Sequence, residues 1–232
     1  MYLPIFTACF LLFVPLAHGH PGGLDKQGGH THRDSGEYHC HREPCLTLHR
    51  QQQQAEEDAR QQQRAFSGLY DRNDWPHWLD EDGDCQDTRA EILIATSQVP
   101  VTFTRADHCI VAEGRWYDPY TDTFFTHASD LDIDHLVPLR HAHGHGGGDW
   151  DERHRRRFAN DPANLIPVSA SANRSKGADS PDQWLPDNRQ FWCEYGRRWQ
   201  RIKLGHRLMI TPPEQDAIDG LLATCQMADS RP

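Results

Sequence analysis

The chain has 232 residues, 37% hydrophobic and 25% charged, enough apolar material for one substantial domain with an appendage. That composition excludes collagen, a coiled coil and a polytopic membrane protein, and it argues against wholesale disorder. A formal net charge of -10 speaks, on its face, against a nucleic-acid binder, because such proteins usually carry a basic surface. Seven cysteines and sixteen histidines direct attention to disulfides and metal ions.

The chain opens with an uncharged apolar run, Ile5 to Leu16, followed by Ala17-His18-Gly19. This reads as an export signal over residues 1–19, although no Lys or Arg precedes it. The run is too short for a bilayer span, which needs roughly 20 residues. The expected mature protein is therefore secreted or periplasmic, monomeric, and without stable membrane association. Cys9 leaves with the signal. Cys40, Cys45, Cys85, Cys109, Cys193 and Cys225 remain, an even set that reads as a disulfide framework in an oxidising compartment. Proximity and element favour Cys40–Cys45, Cys85–Cys109 and Cys193–Cys225, although spacing alone admits other pairings.

Residues 20–45 are rich in Gly and His and lack apolar periodicity, so they cannot build a core of their own. His30, His39 and His41 form a candidate transition-metal site, with Zn2+ the leading ion. The plainer alternative is a disulfide-closed loop with surface histidines. From Gly22 to His41 the segment resembles small secreted His-rich modules of the pattern GGxDxxGGHxxxxxGxYHxH. Residues 46–66 are Gln-rich and read as a solvated helical linker, leaving 67–232 as the main domain. There, Asp80 to Cys85 has the composition of a calcium loop but neither the spacing nor the closing Glu of an EF-hand. Asp87 predicts the N-cap of a helix running through Ile94. Val99–Thr104, Cys109–Trp116 and Thr123–Thr126 read as strands, the last two joined by a turn over Asp118–Asp122. Gln190–Leu204 and Pro213–Met227 read as helices, each with one cysteine.

The chemistry concentrates in Leu131-Asp132-Ile133-Asp134-His135-Leu136-Val137-Pro138-Leu139. Leu131 and Ile133 alternate with Asp132, as in a half-buried strand that ends on two potent side chains. After an insert rich in His, Gly and Arg (140–157) comes a second short strand, Asn164-Leu165-Ile166-Pro167-Val168. A helical run follows, Ser169 to Lys176, closed by Gly177. His141, His143 and His145 of the insert are candidate metal ligands, but the insert reads first as a flexible loop at a substrate cleft, its arginines either meeting phosphates or lining a solvated helix face.

This order of Asp-His-x-x-Pro, Asn164, then Asn173 followed by Arg174 and Lys176, resembles the HNH (His-Me finger, ββα-metal) endonucleases. Arg89, the run from Trp116 to Tyr120 and the run from Asn173 to Gly177 are similar to the secreted HNH branch. The resemblance covers roughly residues 66–225. It implies an α+β protein with a ββα-metal core, additional helices and a small antiparallel sheet, stabilised by disulfides. It also implies roles: His135 as the base for water, Asn164 bracing the loop that carries it, and Asp134 with Asn173 as ligands of a divalent cation, Mg2+ first. Arg174 and Lys176 would contact phosphate, and Arg89 would be a structural or outer residue. Asp132, two residues before Asp134 on the same strand face, reads first as a surface residue, with approach to the metal or to its outer shell as the alternative. Such chemistry suits phosphodiester hydrolysis, which needs a base, charge neutralisation and a stabilised leaving oxygen.

Charge distribution answers the objection from net charge. Residues 1–137 carry 10 basic and 22 acidic residues, net -12, and residues 138–232 carry 14 and 12, net +2. Within 153–207 there are 12 basic against 5 acidic residues, and a phosphate backbone would lie there. The expectation is an exported, metal-dependent endonuclease acting on DNA, with RNA as a second candidate substrate, and with low sequence specificity because no groove-reading element is evident. The competing expectations are an exported non-catalytic metal-binding protein built around its His-rich segments, and an exported hydrolase acting on another substrate such as cell wall.

Overall fold

The computed structural model describes residues 23–31, 38–62 and 64–229; the expected signal over 1–19 lies outside them. The chain divides into two units, residues 1–47 and 48–232. In the first, β1 (Gly29–Thr31) and β2 (Tyr38–Cys40) pair antiparallel with His30 opposite His39. The Asp25 carboxylate accepts the backbone N–H groups of Gln27, Gly28 and Gly29. Cys40 is bonded to Cys45. These local ties stand in for the core that the glycine-rich sequence cannot make. Helix α1 (Cys45–Gln61) carries the Gln-rich stretch.

In the second unit, α2 (Thr88–Thr96) starts where Asp87 accepts the N–H of Ala90. Strands β3 (Thr102–Phe103), β4 (Val111–Asp118) and β5 (Thr123–His127) form an antiparallel sheet in that order. The strand expected from Val99 shrinks to two residues. Pro100 has no N–H for a ladder, and the Ser97 hydroxyl occupies the Val99 carbonyl. Cys85 is bonded to Cys109.

Next comes β6 (Leu131–His135), which pairs antiparallel with β7 (Leu165–Ser169), placing Asp132 opposite Val168 and Asp134 opposite Ile166. The insert between them is not the flexible loop expected from its glycines and histidines. It folds as α3 (Leu139–Gly144) and α4 (Glu152–Ala159), and His141, His143 and His145 are buried. Asp151 caps α4 by accepting the His154 N–H, and Phe158 and Ala159 are fully enclosed. Helix α5 (Ala170–Lys176) follows β7 directly. Ser169 caps its start, and Gly177 ends it at φ 55°, a left-handed conformation that favours glycine. Helices α6 (Trp192–Gly205) and α7 (Pro212–Asp229) pack together under the Cys193–Cys225 disulfide.

The β6–β7 ribbon separates two apolar clusters. Leu131, Ile133 and Leu165 join Leu93, Val111 and Trp116 on one side, while Ile166 and Val168 join Tyr120, Phe158, Tyr195 and Trp199 on the other. Residues directly opposite in an antiparallel ladder share a face. The register therefore puts Asp132 and Asp134 on the Ile166/Val168 face, and His135 with Leu165 on the other. The fold is α+β, with small antiparallel sheets, additional helices and three disulfides.

Candidate active site

The strand end carrying Asp134 and His135 is held by main-chain and side-chain bonds that reach far along the chain. Asn164 is fully buried. Its Oδ1 accepts the Val137 N–H at 2.8 Å and its Nδ2 donates to the Val137 carbonyl at 3.1 Å. Its own carbonyl accepts the Leu136 N–H. Asn164 thus clamps the turn that follows His135. Arg89 donates to the carbonyls of Ala128 and Leu131, anchoring the other end of β6.

His135 Nε2 stands 2.7 Å from the Ala159 carbonyl. A carbonyl only accepts, so this nitrogen carries the ring proton and Nδ1 carries the lone pair. The ring lies 5.6 Å from that of Trp78. Burial pushes the imidazole down to about 3, so the ring is neutral near pH 7. A neutral imidazole with a free Nδ1 can take a proton from water.

On the opposite face, Asp134 is enclosed. Lys176 Nζ lies 3.0 Å from its Oδ1 and 2.9 Å from its Oδ2, and the Tyr120 hydroxyl donates to Oδ2 at 2.7 Å. Burial raises the Asp134 carboxyl and lowers the Lys176 ammonium, each against their mutual attraction. Two residues back along the strand, half-buried Asp132 accepts the Asn173 Nδ2–H at 3.0 Å. Helix periodicity accounts for the pattern: Asn173 and Lys176 stand three residues apart on one face of α5, over Asp132 and Asp134 on one face of β6.

Two expectations need correction. Lys176 does not face a phosphate: it is fully buried, and its remaining bond goes to the His135 carbonyl at 2.9 Å. Asn173 meets Asp132 rather than Asp134, whose oxygens are already engaged. Arg174, by contrast, is exposed on α5. The basic excess of 153–207 is also partly consumed inside the fold. Lys176 and Lys203 are buried, Arg198 donates to the carbonyls of Ala163 and Leu165, and Arg156 pairs with Glu81 at 2.8 Å.

Sequence reasoning missed Tyr120, Trp78 and the Ala159 carbonyl as parts of this site. Tyr120 and Trp78 belong to aromatic runs whose pattern says only that they pack; a backbone carbonyl has no sequence signature at all. Elsewhere, the rings of His30 and His41 lie 4.8 Å apart. The carboxylates of Asp80, Asp82 and Asp84 converge but are exposed, and Asp80 is used in capping its own turn through the N–H groups of Gly83 and Cys85.

The chain belongs to the family described as GmrSD restriction endonucleases, C-terminal domain, which it matches over residues 88–204. That span contains His135, Asn164 and Asn173. A second comparison relates the chain to an uncharacterized secreted protein of Arthroderma benhamiae, 37% identical over 159 residues, covering 67% of this chain and 76% of the relative. No solved structure matches. Among the described residues no helix is long and apolar enough to cross a membrane.

Proposed function

We propose that the protein is an exported, metal-dependent endonuclease of HNH type that hydrolyses phosphodiester bonds of DNA with low sequence specificity. The observation that carries this reading is the His135 imidazole, fixed by the Ala159 carbonyl with its Nδ1 left to accept a proton, on a two-strand ribbon followed directly by the Asn173 helix. Membership of a family described as restriction endonucleases supports it, and the relative described as secreted supports export.

Asp132 and Asn173 offer oxygen ligands, a donor set that fits a hard cation such as Mg2+ and disfavours soft ions; Asp134 would join them only with the Lys176 ammonium moved off its carboxylate. Asn173 spends its N–H on Asp132, which leaves its amide oxygen available, while Asp134 shares its charge with Lys176. When bound there, the cation would neutralise charge on the phosphate and its leaving oxygen. His135 takes the proton of the attacking water at Nδ1. At about 3 it is neutral but weakly basic, and an anionic phosphodiester arriving beside it raises its affinity for the proton. Asn164 holds the turn, and Lys176 positions Asp134 and the His135 carbonyl. Arg174 is the phosphate contact. In the N-terminal unit, His30, His39 and His41 remain the candidate ligands for Zn2+.

Plasmid nicking tests the reading, with Mg2+, with EDTA and with His135→Ala; a structured RNA run in parallel decides the second substrate. His135→Ala is expected to slow cleavage about 100- to 10,000-fold, the range for loss of a general base. Cleavage that survives EDTA, or a His135→Ala protein as fast as the wild type, overturns the assignment.

A further inference from the structure

The histidines that phosphodiester cleavage leaves unused gather in one place. His141 and His145 stand one helical turn apart at the C-terminal end of α3, their rings stacked with centroids 3.7 Å apart. Glu214, in the first turn of α7, reaches both: its Oε1 is 3.3 Å from His141 Nε2 and its Oε2 is 3.7 Å from His145 Nε2. All three residues are buried. Glu214 lies outside the family match at 88–204, so this cluster joins the matched region to the C-terminal helix.

The tautomers follow from the neighbours. His145 Nδ1 lies 2.6 Å from the His141 carbonyl, so Nδ1 carries the proton and Nε2 the lone pair. His141 Nε2 lies 2.8 Å from Lys203 Nζ, an ammonium that only donates, so this nitrogen also presents a lone pair. Two imidazole lone pairs and a carboxylate thus converge, three acceptors with their ligand atoms within 4.8 Å of one another. Such a group needs a cation. Lys203 supplies one to His141 and to Glu214, at 2.8 and 3.1 Å from the carboxylate oxygens. It is hydrogen-bonded to only two of the three, and His145 Nε2 receives no hydrogen bond among the described residues.

Beside the cluster lies a cleft of about 690 Å³ with His141 and His145 in its wall, together with Arg140, Asp179, Asp182 and Thr211. It provides an entry route and room for a further ligand. We propose that His141, His145 and Glu214 bind a transition-metal cation, Zn2+ in the first instance, with a fourth position open to the cleft and the Lys203 ammonium displaced. Two imidazole nitrogens and one carboxylate suit zinc and exclude Mg2+ or Ca2+, which prefer all-oxygen shells. The three ligand atoms lie within 4.8 Å of one another, and a tetrahedral zinc shell, whose ligands stand roughly 3.3–3.6 Å apart, forms once they draw in around the ion. The His145 Nδ1–H bond to a carbonyl is the outer support that metal-binding histidines typically have. The site is separate from the oxygen ligands on β6.

The test uses the full chain carrying His30→Ala, His39→Ala and His41→Ala, freed of metal and kept in excess Mg2+ to occupy oxygen sites. Calorimetry with Zn2+ is expected to show one tight equivalent, and Co2+ to give the intense visible absorption of a tetrahedral nitrogen–oxygen site. His145→Ala and His145→Gln, each checked for folding by circular dichroism, are expected to lose more than the roughly 10- to 100-fold in affinity that removal of an outer partner causes. Lys203→Met, which takes away the competing ammonium, is expected to gain more in Tm from Zn2+ than the parent chain. No tight equivalent, an affinity indifferent to both His145 variants, or a Lys203→Met protein that responds less than its parent overturns the proposal.

Discussion

Two of the carboxylates buried in the second unit, Asp134 and Glu214, are each matched with a lysine and an aromatic donor. Asp134 has Lys176 and the Tyr120 hydroxyl; Glu214 has Lys203 and the Trp199 indole N–H at 2.6 Å. Both lysines are fully enclosed. The two clusters differ in the lysine's third partner. Lys176 turns to the His135 carbonyl, closing its cluster onto the strand, whereas Lys203 turns to an imidazole that borders a cleft. Burial leaves the Asp134 carboxyl raised despite Lys176. At Glu214 burial pushes the same way, but the Lys203 ammonium outweighs it and holds the carboxyl well below the usual range. One ion pair braces the strand that carries His135 against its helix; the same pairing elsewhere holds together a set of acceptors.

The sharpest way to separate the two clusters is by activity. His135→Ala is expected to remove about 100- to 10,000-fold of nicking rate, whereas His145→Ala is expected to leave the rate with Mg2+ within a few-fold. Equal losses from both would mean that the clusters form one functional unit.

Next in size is the ion pair itself. Glu214→Ala and Asp134→Ala each strand a buried ammonium, and each is expected to lower unfolding stability by about 3–5 kcal/mol in urea titrations. Removing both partners for apolar residues should repair most of that loss at either place, as in Glu214→Leu with Lys203→Met, or Asp134→Leu with Lys176→Met. Only the second double variant is expected to be inactive. A double variant as unstable as its parent single variants would show that packing, rather than charge, sets the loss.

Acid should unfold the protein through its buried histidines. Burial pushes His135 and His141 down to about 3 and His145 to about 4, against about 6.5 in the unfolded chain. Between those values the unfolded state binds more protons, so stability is complete above about pH 6.5 and declines as pH falls toward 4. The slope is about 1.4 kcal/mol per pH unit for each such histidine. Urea midpoints at pH 7 and pH 5 check this, and a flat profile would mean these rings are charged in the native state. The smallest expected effect is Trp199→Phe, which removes one hydrogen bond from Glu214 and should cost about 1–2 kcal/mol; Tyr120→Phe is its counterpart at Asp134.

Much of this was legible in the residues. Asp87, Ser169 and Gly177 announce helix ends through capping chemistry that acts within one turn. The three disulfides join the cysteines that proximity and element favoured. The order of Asp134-His135, Asn164 and Asn173 pointed to a nuclease family, and the match over 88–204 places the chain in one. The histidine-rich insert was misread because glycine and histidine have weak local preferences. His143 and His141 are covered by Trp75 and Trp199, aromatic partners distant in the chain.

By itself, the sequence determined the periodic elements, their caps, the cysteine pairs and which residue types are gathered for chemistry, because those depend on neighbours a few positions away. Only the tertiary structure decided which atoms meet. Asn173 reaches Asp132 and Lys176 reaches Asp134 across about forty residues of chain, through the rotation of α5 on the β6–β7 ribbon. Glu214 arrives at His141 and His145 from a helix that packs in only after α6 has turned back. Facing and contact are set by how whole elements bury their apolar sides, and no local pattern encodes that choice.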